Sequence, residues 1–419
     1  MAGEQPFDAT TVRERVRELP GGRELLRVAA HWGEVELVGG AVRDILLDRR
    51  AALREFDLVV AENAYGLADA LAKELGVLSG QNPQERFESQ LHDRFRTAIV
   101  SNDQIQIDIA TRRRETYACP GALPDVETGT PEEDLLRRDF TVNAIAVRID
   151  AGRAGEVHAV PGALEDLAAG RLRVLHDASF IDDPTRLLRL ARYEARLRFV
   201  VEDHTAALAR EAIAARALDT VSGARIGAEL RLGLAEDSAL GALQRMDELG
   251  ILLGLGLHTP LPEKLAADAL ALLPDDGRPG ELLMALLCED PAILDTFEFP
   301  AGERDRIVSS ARAAPQIGDV LASDTRASLL HGALAGKTPE AIAIAAAQGP
   351  PGAAETARLW FDTLRHVRLS ITGDDLLAAG VPSGPELGRR LAVALARRLD
   401  GELESGPRAE LAAAMEAGA

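Results

Sequence analysis

The hydrophobic pattern of this chain changes period partway along, and no other feature limits its fold as strongly. Up to about residue 150, short alternating runs read as strands set between amphipathic helices; beyond about residue 182, apolar residues recur at helical spacing almost without a break. The first part predicts a helix over residues 10–32, a strand at Glu34–Val38, a helix at Ala41–Leu47, a strand at Phe56–Val60 and a helix at Ala64–Leu75. Further strands are predicted at Arg96–Val100, Ile105–Ala110 and Ala144–Ile149. In the second part, Pro and Gly mark loops at Leu261–Pro262, Pro274–Gly280, Gly349–Gly352 and Pro382–Pro385. This order predicts an α+β chain: a mixed-sheet head over residues 1–150, a neck over 151–245, and an all-α body and tail over 246–419. A chain of 419 residues needs more than one core. With aromatic residues at only 4%, the helical part must pack through Ala and Leu.

The formal net charge of −20 argues against a generic polyanion binder, so any nucleic-acid contact has to come from local arginine clusters. Two cysteines far apart, Cys119 and Cys288, support neither a disulfide framework nor a cysteine metal site. No stretch approaches a membrane span or a secretory apolar run, and the expectation is a protein of the reducing cytoplasm.

Three segments carry chemistry. In VELVGGAVRDILL, Gly39 and Gly40 sit between a strand and a helix, where the backbone can turn tightly, approach a phosphate and offer it helix N–H groups; Arg43 lies one turn on. A plain turn accounts for the same residues. In REFDLVV, Glu55 and Asp57 share one strand face and Phe56 takes the other. In QIQIDIA, Ile105, Ile107 and Ile109 form an apolar face opposite Gln104, Gln106 and Asp108. Side-by-side acids repel unless a cation lies between them, and Mg²⁺ prefers carboxylate and phosphate oxygens; a solvated polar face on an edge strand is the alternative. Third, FIDDPTRLLRLARYEARLRF predicts a helix with Asp183 as N-cap and Pro184 at its first position. Arg186, Arg189, Arg192 and Arg196 then form one stripe, whose mutual repulsion calls for an anion or an acidic partner, unless the face is simply solvated and salted by Asp182, Asp183 and Glu194.

These segments, with LLRRDFTVNAIA at 135–146 and VSGARIGAELRLGL further on, resemble the class II tRNA nucleotidyltransferase and bacterial poly(A) polymerase family, within the polymerase-β-like nucleotidyltransferases. Smaller matches are HDRFRTAIV, IDIATRRRETY with PGALPDV, and GALEDLAAGRLRVLH, so the resemblance covers residues 35–235 in order. It implies template-independent addition of CCA, or only of C or A, to the 3′ end of tRNA from CTP and ATP, with Mg²⁺ as cofactor. By position, it implies phosphate contacts at Gly40 and Arg43 and catalytic metal binding at Glu55 and Asp57, with Asp108 as a third carboxylate. Arg138 matches a nucleotide-binding arginine, and Asp139 and Asn143 match supporting residues for the ribose or the loop. Asp183 and Arg186 match the pair that hydrogen-bonds the incoming base, and Arg189 and Arg192 match neighbouring nucleotide contacts. The departure is Glu55, where the family commonly carries aspartate; the extra methylene must fold back or shift the metal. Poly(A) addition and a catalytically impaired RNA-binding homologue are the alternatives.

Other candidates weigh less. HGALAGKTPE at 331–340 has glycines one residue too close for a P-loop. His92–Asp93 and His176–Asp177 lie outside any helical histidine array. Arg365, His366, Arg368, Arg389–Arg390 and Arg397–Arg398 are either tRNA contacts or ordinary exposed helix faces.

Overall fold

The computed structural model describes residues 10–48, 55–78, 88–92, 97–101, 105–323 and 325–417; for residues 10, 55, 76–78 and 88–92 the description covers the backbone alone. The chain forms two compact units, Met1–Ser222 and Gly223–Ala419.

The first unit opens with two helices, α1 (Thr10–Glu18) and α2 (Gly22–Trp32), where periodicity predicted one. Pro20 lacks the N–H that a continuous helix needs, and Gly21 turns the chain in the left-handed region at φ 71°. Then come β1 (Val35–Val38), α3 (Gly40–Leu46), β2 (Glu55–Val60), α4 (Ala64–Leu78), β3 (Glu88–His92), β4 (Thr97–Ser101) and β5 (Gln106–Thr111). A hairpin of β6 (Arg113–Thr116) and β7 (Asp125–Thr128) leads to α5 (Pro131–Leu136), β8 (Ile145–Arg148) and β9 (Val157–Ala159). The unit continues through α6 (Ala163–Ala169), β10 (Arg171–Leu172), α7 (Ser179–Asp182), α8 (Arg186–Leu197), β11 (Val200–Val201) and α9 (Asp203–Ala214).

Seven strands form one mixed sheet in the order β3-β4-β5-β2-β1-β8-β9. β2 and β5 run parallel and every other neighbouring pair runs antiparallel. The sheet passes residue 150, where the sequence pattern closed the head: β9 pairs with β8, Ala146 opposite His158. Three residues are too few to show a period, which is why that edge strand is invisible in the sequence. β3 and the β6–β7 hairpin were likewise not foreseen; the hairpin strands carry Arg, Glu and Thr and bury no continuous apolar face.

The central strands follow from alternation. Phe56, Leu58, Ile107 and Ile109 are all within 1% of full burial, whereas Asp57 is exposed and Asp108 is partly exposed. α4 packs on β3, β4 and β5 and buries Leu67, Ala68, Leu71 and Leu75. α5 is held by a capping box, with Thr130 Oγ1 accepting from Glu133 N and Glu133 accepting from Thr130 N.

In the second unit every regular element among the described residues is helical, as the unbroken period predicted, from Gly223–Leu234 to Pro407–Glu416. Its last helices close a small core of Ile371, Leu376, Val381, Ala394, Ala413 and Ala414. Among the described residues no helix is long and apolar enough to cross a membrane. Cys119 is exposed and Cys288 buried, and neither is in a disulfide.

Ile107 is fully buried next to Asp108, so Ile107→Ala is expected to cost about 2–5 kcal/mol in denaturant unfolding of the full chain. A cost near zero would mean that β5 is not clamped into the sheet core.

Candidate functional site

Sheet register brings the acids together. In the parallel β2–β5 ladder Asp57 stands opposite Asp108, and Glu55 stands opposite Gln106. The two aspartates come from neighbouring strands, whose spacing is about 4.8 Å. Gln106 Nε2 donates to both carboxylate oxygens of Asp108, at 3.2 and 3.1 Å, fixing its orientation. Among the described residues no group of three His, Cys, Asp or Glu side chains is placed to hold a metal ion. Glu55, which the sequence pairs with Asp57, has its side chain outside the described residues, as do Gln104, His92 and Asp93.

The Gly-Gly turn closes over these acids. Gly39 has φ 71° and ψ −136°, a conformation that L side chains rarely adopt. A Cβ there would stand 3.0 Å from Arg138 Nη1 and 3.3 Å from Asp57 Oδ2. Gly39, Arg138 and Asp57 are therefore one constellation, with a bare backbone between a cation and an acid. Arg138 Nη2 donates to Asp134 Oδ2 at 3.0 Å, and its buried Nε has no hydrogen-bond partner among the described residues. Asp134, on α5, also accepts from Arg137 Nε and from the Arg113 backbone N. Burial works against the Asp134 charge, but Arg137 and Arg138 outweigh it and hold its pKa below the ordinary value.

Arg43 departs from expectation. The sequence placed it where it could reach a phosphate, yet it is 1% exposed. Its Nε and Nη2 donate to the two Asp44 carboxylate oxygens at 2.8 and 2.9 Å, and its Nη1 donates to Asn143 Oδ1 at 2.6 Å. Asn143 in turn donates through Nδ2 to Asp139 Oδ1 at 2.9 Å, and the Phe140 N donates to the same oxygen. The other carboxylate oxygen, Asp139 Oδ2, lies 2.7 Å from Arg189 Nη2, an ion pair without hydrogen-bond alignment. A continuous chain thus runs Asp44–Arg43–Asn143–Asp139–Arg189, from α3 through the 139–143 turn to α8, buried up to Asp139 and partly exposed at Arg189. Arg196 of α8 closes it by reaching Asp44 Oδ2 at 3.3 Å. Tyr193 sits in the middle, with Arg43 and Arg192 on its ring at 5.5 and 5.0 Å and Phe140 edge-on at 5.9 Å.

The arginine stripe is therefore real, but much of its compensation comes from within the protein. Arg186 is 3% exposed; its Nη1 donates to Ser179 Oγ at 2.6 Å and its Nη2 to the Arg137 carbonyl at 2.8 Å. α8 itself begins at Arg186, with Thr185 rather than Asp183 at the N-cap position. Asp183 acts one step earlier: its Oδ1 accepts from Thr185 N at 3.1 Å and from Thr185 Oγ1 at 2.6 Å. It remains partly exposed, beside the first turn of α8.

Asp134, Asp44, Ser179 and Tyr193 were missed by sequence reasoning. Asp134 had a signal, since it precedes Arg137 and Arg138 by three and four helical positions. Asp44 and Tyr193 each touch a sequence neighbour, Arg43 and Arg192, but the contacts that tie them into the site, Arg196 to Asp44 and Arg43 to Tyr193, join residues far apart in sequence and leave no local signal. In the second unit, Arg365 is bound to Asp276, Arg390 to Glu386, Arg397 to Glu416 and Arg398 to Glu410. Gly332 lies inside a helix, Ala327–Leu334, which rules out the P-loop reading.

An in-register acid pair on a mixed sheet, a glycine turn above it and an arginine-bearing helix alongside define a nucleotidyltransferase head. Residues 35–173 match the poly A polymerase head domain. The CC-adding tRNA nucleotidyltransferase of Deinococcus radiodurans is 31% identical over 91% of this chain and 89% of its own length. The A-adding tRNA nucleotidyltransferase of Geobacter sulfurreducens is 33% identical over 88% of this chain and 43% of its own length. A CCA-adding enzyme structure in an apo form superposes with a TM-score of 0.76 at 28% identity, covering 95% of both chains. The chain belongs to the tRNA nucleotidyltransferase family. It spans half or less of the length of the A-adding relatives, 24 to 50%.

Two outcomes test this geometry. Gly39→Ala is expected to cost about 1–3 kcal/mol in denaturant unfolding, because the added Cβ meets Arg138 and Asp57 in a strained backbone conformation; an unchanged midpoint would contradict it. Asp139 titrates below its ordinary value of 3.8, since Arg189, Asn143 and the Phe140 N outweigh its burial. A depressed folded-state pKa contributes stability that is complete above about pH 3.8 and is lost as pH falls through the lower value. Asp139→Asn should flatten that acid limb of stability against pH while lowering stability at neutral pH; an acid limb as steep as wild type would refute the assignment.

Proposed function

We propose that this protein extends the 3′ end of tRNA without a template, taking CTP, ATP or both and releasing pyrophosphate. The observation that carries the reading is the in-register pair Asp57–Asp108 beneath Gly39 and Arg138. Family membership and the A-adding and CC-adding relatives support the choice of reaction and nucleotides.

The donor set is hard carboxylate oxygen on adjacent strands, which suits Mg²⁺. Asp57 and Asp108, with Glu55 as the further donor that the sequence assigns, would hold it, and it would supply Lewis-acid stabilisation of the charge developing at the α-phosphate. The protein's own groups do the rest. The Gly39–Gly40 turn carries no side chain that would keep a triphosphate from the backbone, and Arg138, anchored by Asp134, offers a fixed cation beside it. Asp183 supplies acceptors and Arg186 donors, the combination that cytosine and adenine edges need. Arg43, Asp139 and Asn143 serve as the internal frame for these groups. Arg189 and Arg192, on the same helix as Arg186, add positive charge near the bound nucleotide. In-line attack by the RNA 3′-hydroxyl would then gain mainly from positioning and electrostatics.

We assign catalysis and nucleotide selection to the head and the first part of the neck, and tRNA binding to the remaining neck and the helical body and tail. The cytoplasm is the proposed location, in keeping with two unpaired cysteines and a tRNA substrate.

The test offers purified protein three tRNAs, ending before CCA, after C and after CC, with CTP and ATP singly and together. Ordered incorporation that stops is expected, and which tRNA is extended reads out full, CC-only or A-only addition. Unlimited A addition to any RNA would point instead to poly(A) synthesis, and tRNA binding without incorporation in Mg²⁺ or Mn²⁺ to an impaired homologue. Asp57→Asn and Asp108→Asn should each lower kcat by on the order of 10²–10³, and chelation should abolish turnover. Glu55→Asp measures the effect of the extra methylene.

A further inference from the structure

The parallel pair β2–β5 divides the mixed sheet, with β5, β4 and β3 on one side of the seam and β2, β1, β8 and β9 on the other. The helices packed on the sheet follow the same division: α4 lies on β3, β4 and β5, and α3 on β1, β2 and β8. Asp57 belongs to one half and Asp108 to the other, so the seam decides whether the two carboxylates meet. A slip of two residues would keep every side chain on its face and carry Asp108 about 7 Å along β2.

The seam carries a charged tie on the same face as the acids. Arg112 directly follows β5, in phase with Asp108 and Ala110, and Glu36 of β1 stands opposite Val59 of β2. Arg112 reaches across β2: its Nε and Nη2 donate to Glu36 Oε2 at 3.2 and 2.9 Å, and its Nη1 donates to Glu34 Oε2 at 2.7 Å. Its backbone N also donates to the Val60 carbonyl at 2.8 Å. Both charges are out of water, Arg112 at 4% exposure and Glu36 at 2%. Burial works against the Arg112 charge, but Glu34 and Glu36 outweigh it and hold its pKa above the ordinary value. The other Glu36 oxygen, Oε1, lies 2.5 Å from His158 Nδ1 on β9, and Arg148 of β8 stands opposite Glu36. Glu36 is thus bound within its own half and offers one oxygen to the other half. No step assigned above uses these residues.

We propose that the Arg112–Glu36 pair is a register lock for the β2–β5 seam, which makes Arg112 and Glu36 positioning residues for the Asp57–Asp108 metal site. The inference rests on the reading of those two aspartates as metal ligands. Apolar contact across the seam survives a two-residue slip, because Phe56, Leu58, Ile107 and Ile109 are all large and buried. A buried ion pair does not survive it: the guanidinium would part from the carboxylates and leave charge buried without compensation. Such a pair adds little net stability over apolar side chains of similar volume, and setting register is its best-attested use.

The test compares the full-length wild type with Arg112→Met, Arg112→Lys and the double variant Arg112→Met/Glu36→Met, with Asp57→Asn marking the metal site. Mn²⁺ binding is followed by electron paramagnetic resonance, and CTP and ATP binding without metal by calorimetry. Thermal unfolding and amide hydrogen exchange in β2 and β5 complete the set. Arg112→Met should fold, since Glu36 keeps His158 as a partner, and should bind Mn²⁺ about tenfold more weakly. Its β2 and β5 amides should exchange faster, while its nucleotide Kd stays within about twofold of wild type. Arg112→Lys should recover part of the Mn²⁺ affinity. The double variant should unfold at or above the temperature of Arg112→Met yet bind Mn²⁺ no better, which separates register from stability. A wild-type Kd for Mn²⁺ in Arg112→Met and in the double variant refutes the lock while the metal site stands. A double variant that regains stability and Mn²⁺ affinity together refutes it as well. If Asp57→Asn binds Mn²⁺ as wild type does, the metal reading fails and hydrogen exchange alone decides: wild-type protection of β2 and β5 in Arg112→Met then refutes the lock. If Arg112→Met does not fold, the double variant is judged by the same readings.

Discussion

Burying Arg43 is the commitment on which the rest of the head depends. A guanidinium taken out of water is costly unless its charge and donors are met, and removing one partner of such a group typically costs about 3–5 kcal/mol. Asp44 meets the charge and accepts from Nε and Nη2, and Asn143 accepts from Nη1. Asn143 has to be oriented by Asp139, and Asp139 by Arg189. Each solution creates the next requirement, so α3, the 139–143 turn and α8 are locked to one another. The Gly39 turn is the start of α3, Arg138 is one residue before the turn, and Arg186 begins α8. Three groups that would contact a nucleotide therefore share one frame.

The frame also explains how an acidic protein can present arginines. A chain with net charge −20 does not attract RNA over its whole surface. On α8 the arginines are partnered one by one, by Ser179 and the Arg137 carbonyl, by Asp139, by the Tyr193 ring and by Asp44. Their repulsion is relieved without bulk counterions, and their side chains are held in place before any ligand arrives. Preorganised charge of this kind loses little to reorganisation when a phosphate charge develops.

Where reasoning from sequence succeeded, the signal was local. Alternation put Phe56 and Ile107 in the core and Asp57 and Asp108 on the other face, and the structure agrees. The helical second half was legible for the same reason. Where it fell short, the deciding partner was distant. Arg43 reads as an anion ligand because Asn143, a hundred residues on, cannot be seen from its neighbourhood. Asp183 looks like the cap of α8, yet its bonds go to Thr185 and the helix starts later, since the turn between them follows Pro184. β9 and the β6–β7 hairpin are too short or too polar to leave a periodic trace.

By itself, then, the sequence determined the α+β character, the faces on which the acids and arginines lie, and the resemblance that carried their roles. Those properties depend on residues within a few positions of one another, where the backbone repeat alone fixes direction. Only the tertiary structure decided that Asp57 stands opposite Asp108, because a two-residue slip between β2 and β5 would keep every side chain on its face and is excluded by neither strand's pattern. It also decided which arginines turn inward. That choice is set by the free energy of pairing a buried charge with groups that chain folding, and not sequence proximity, brings within hydrogen-bond distance.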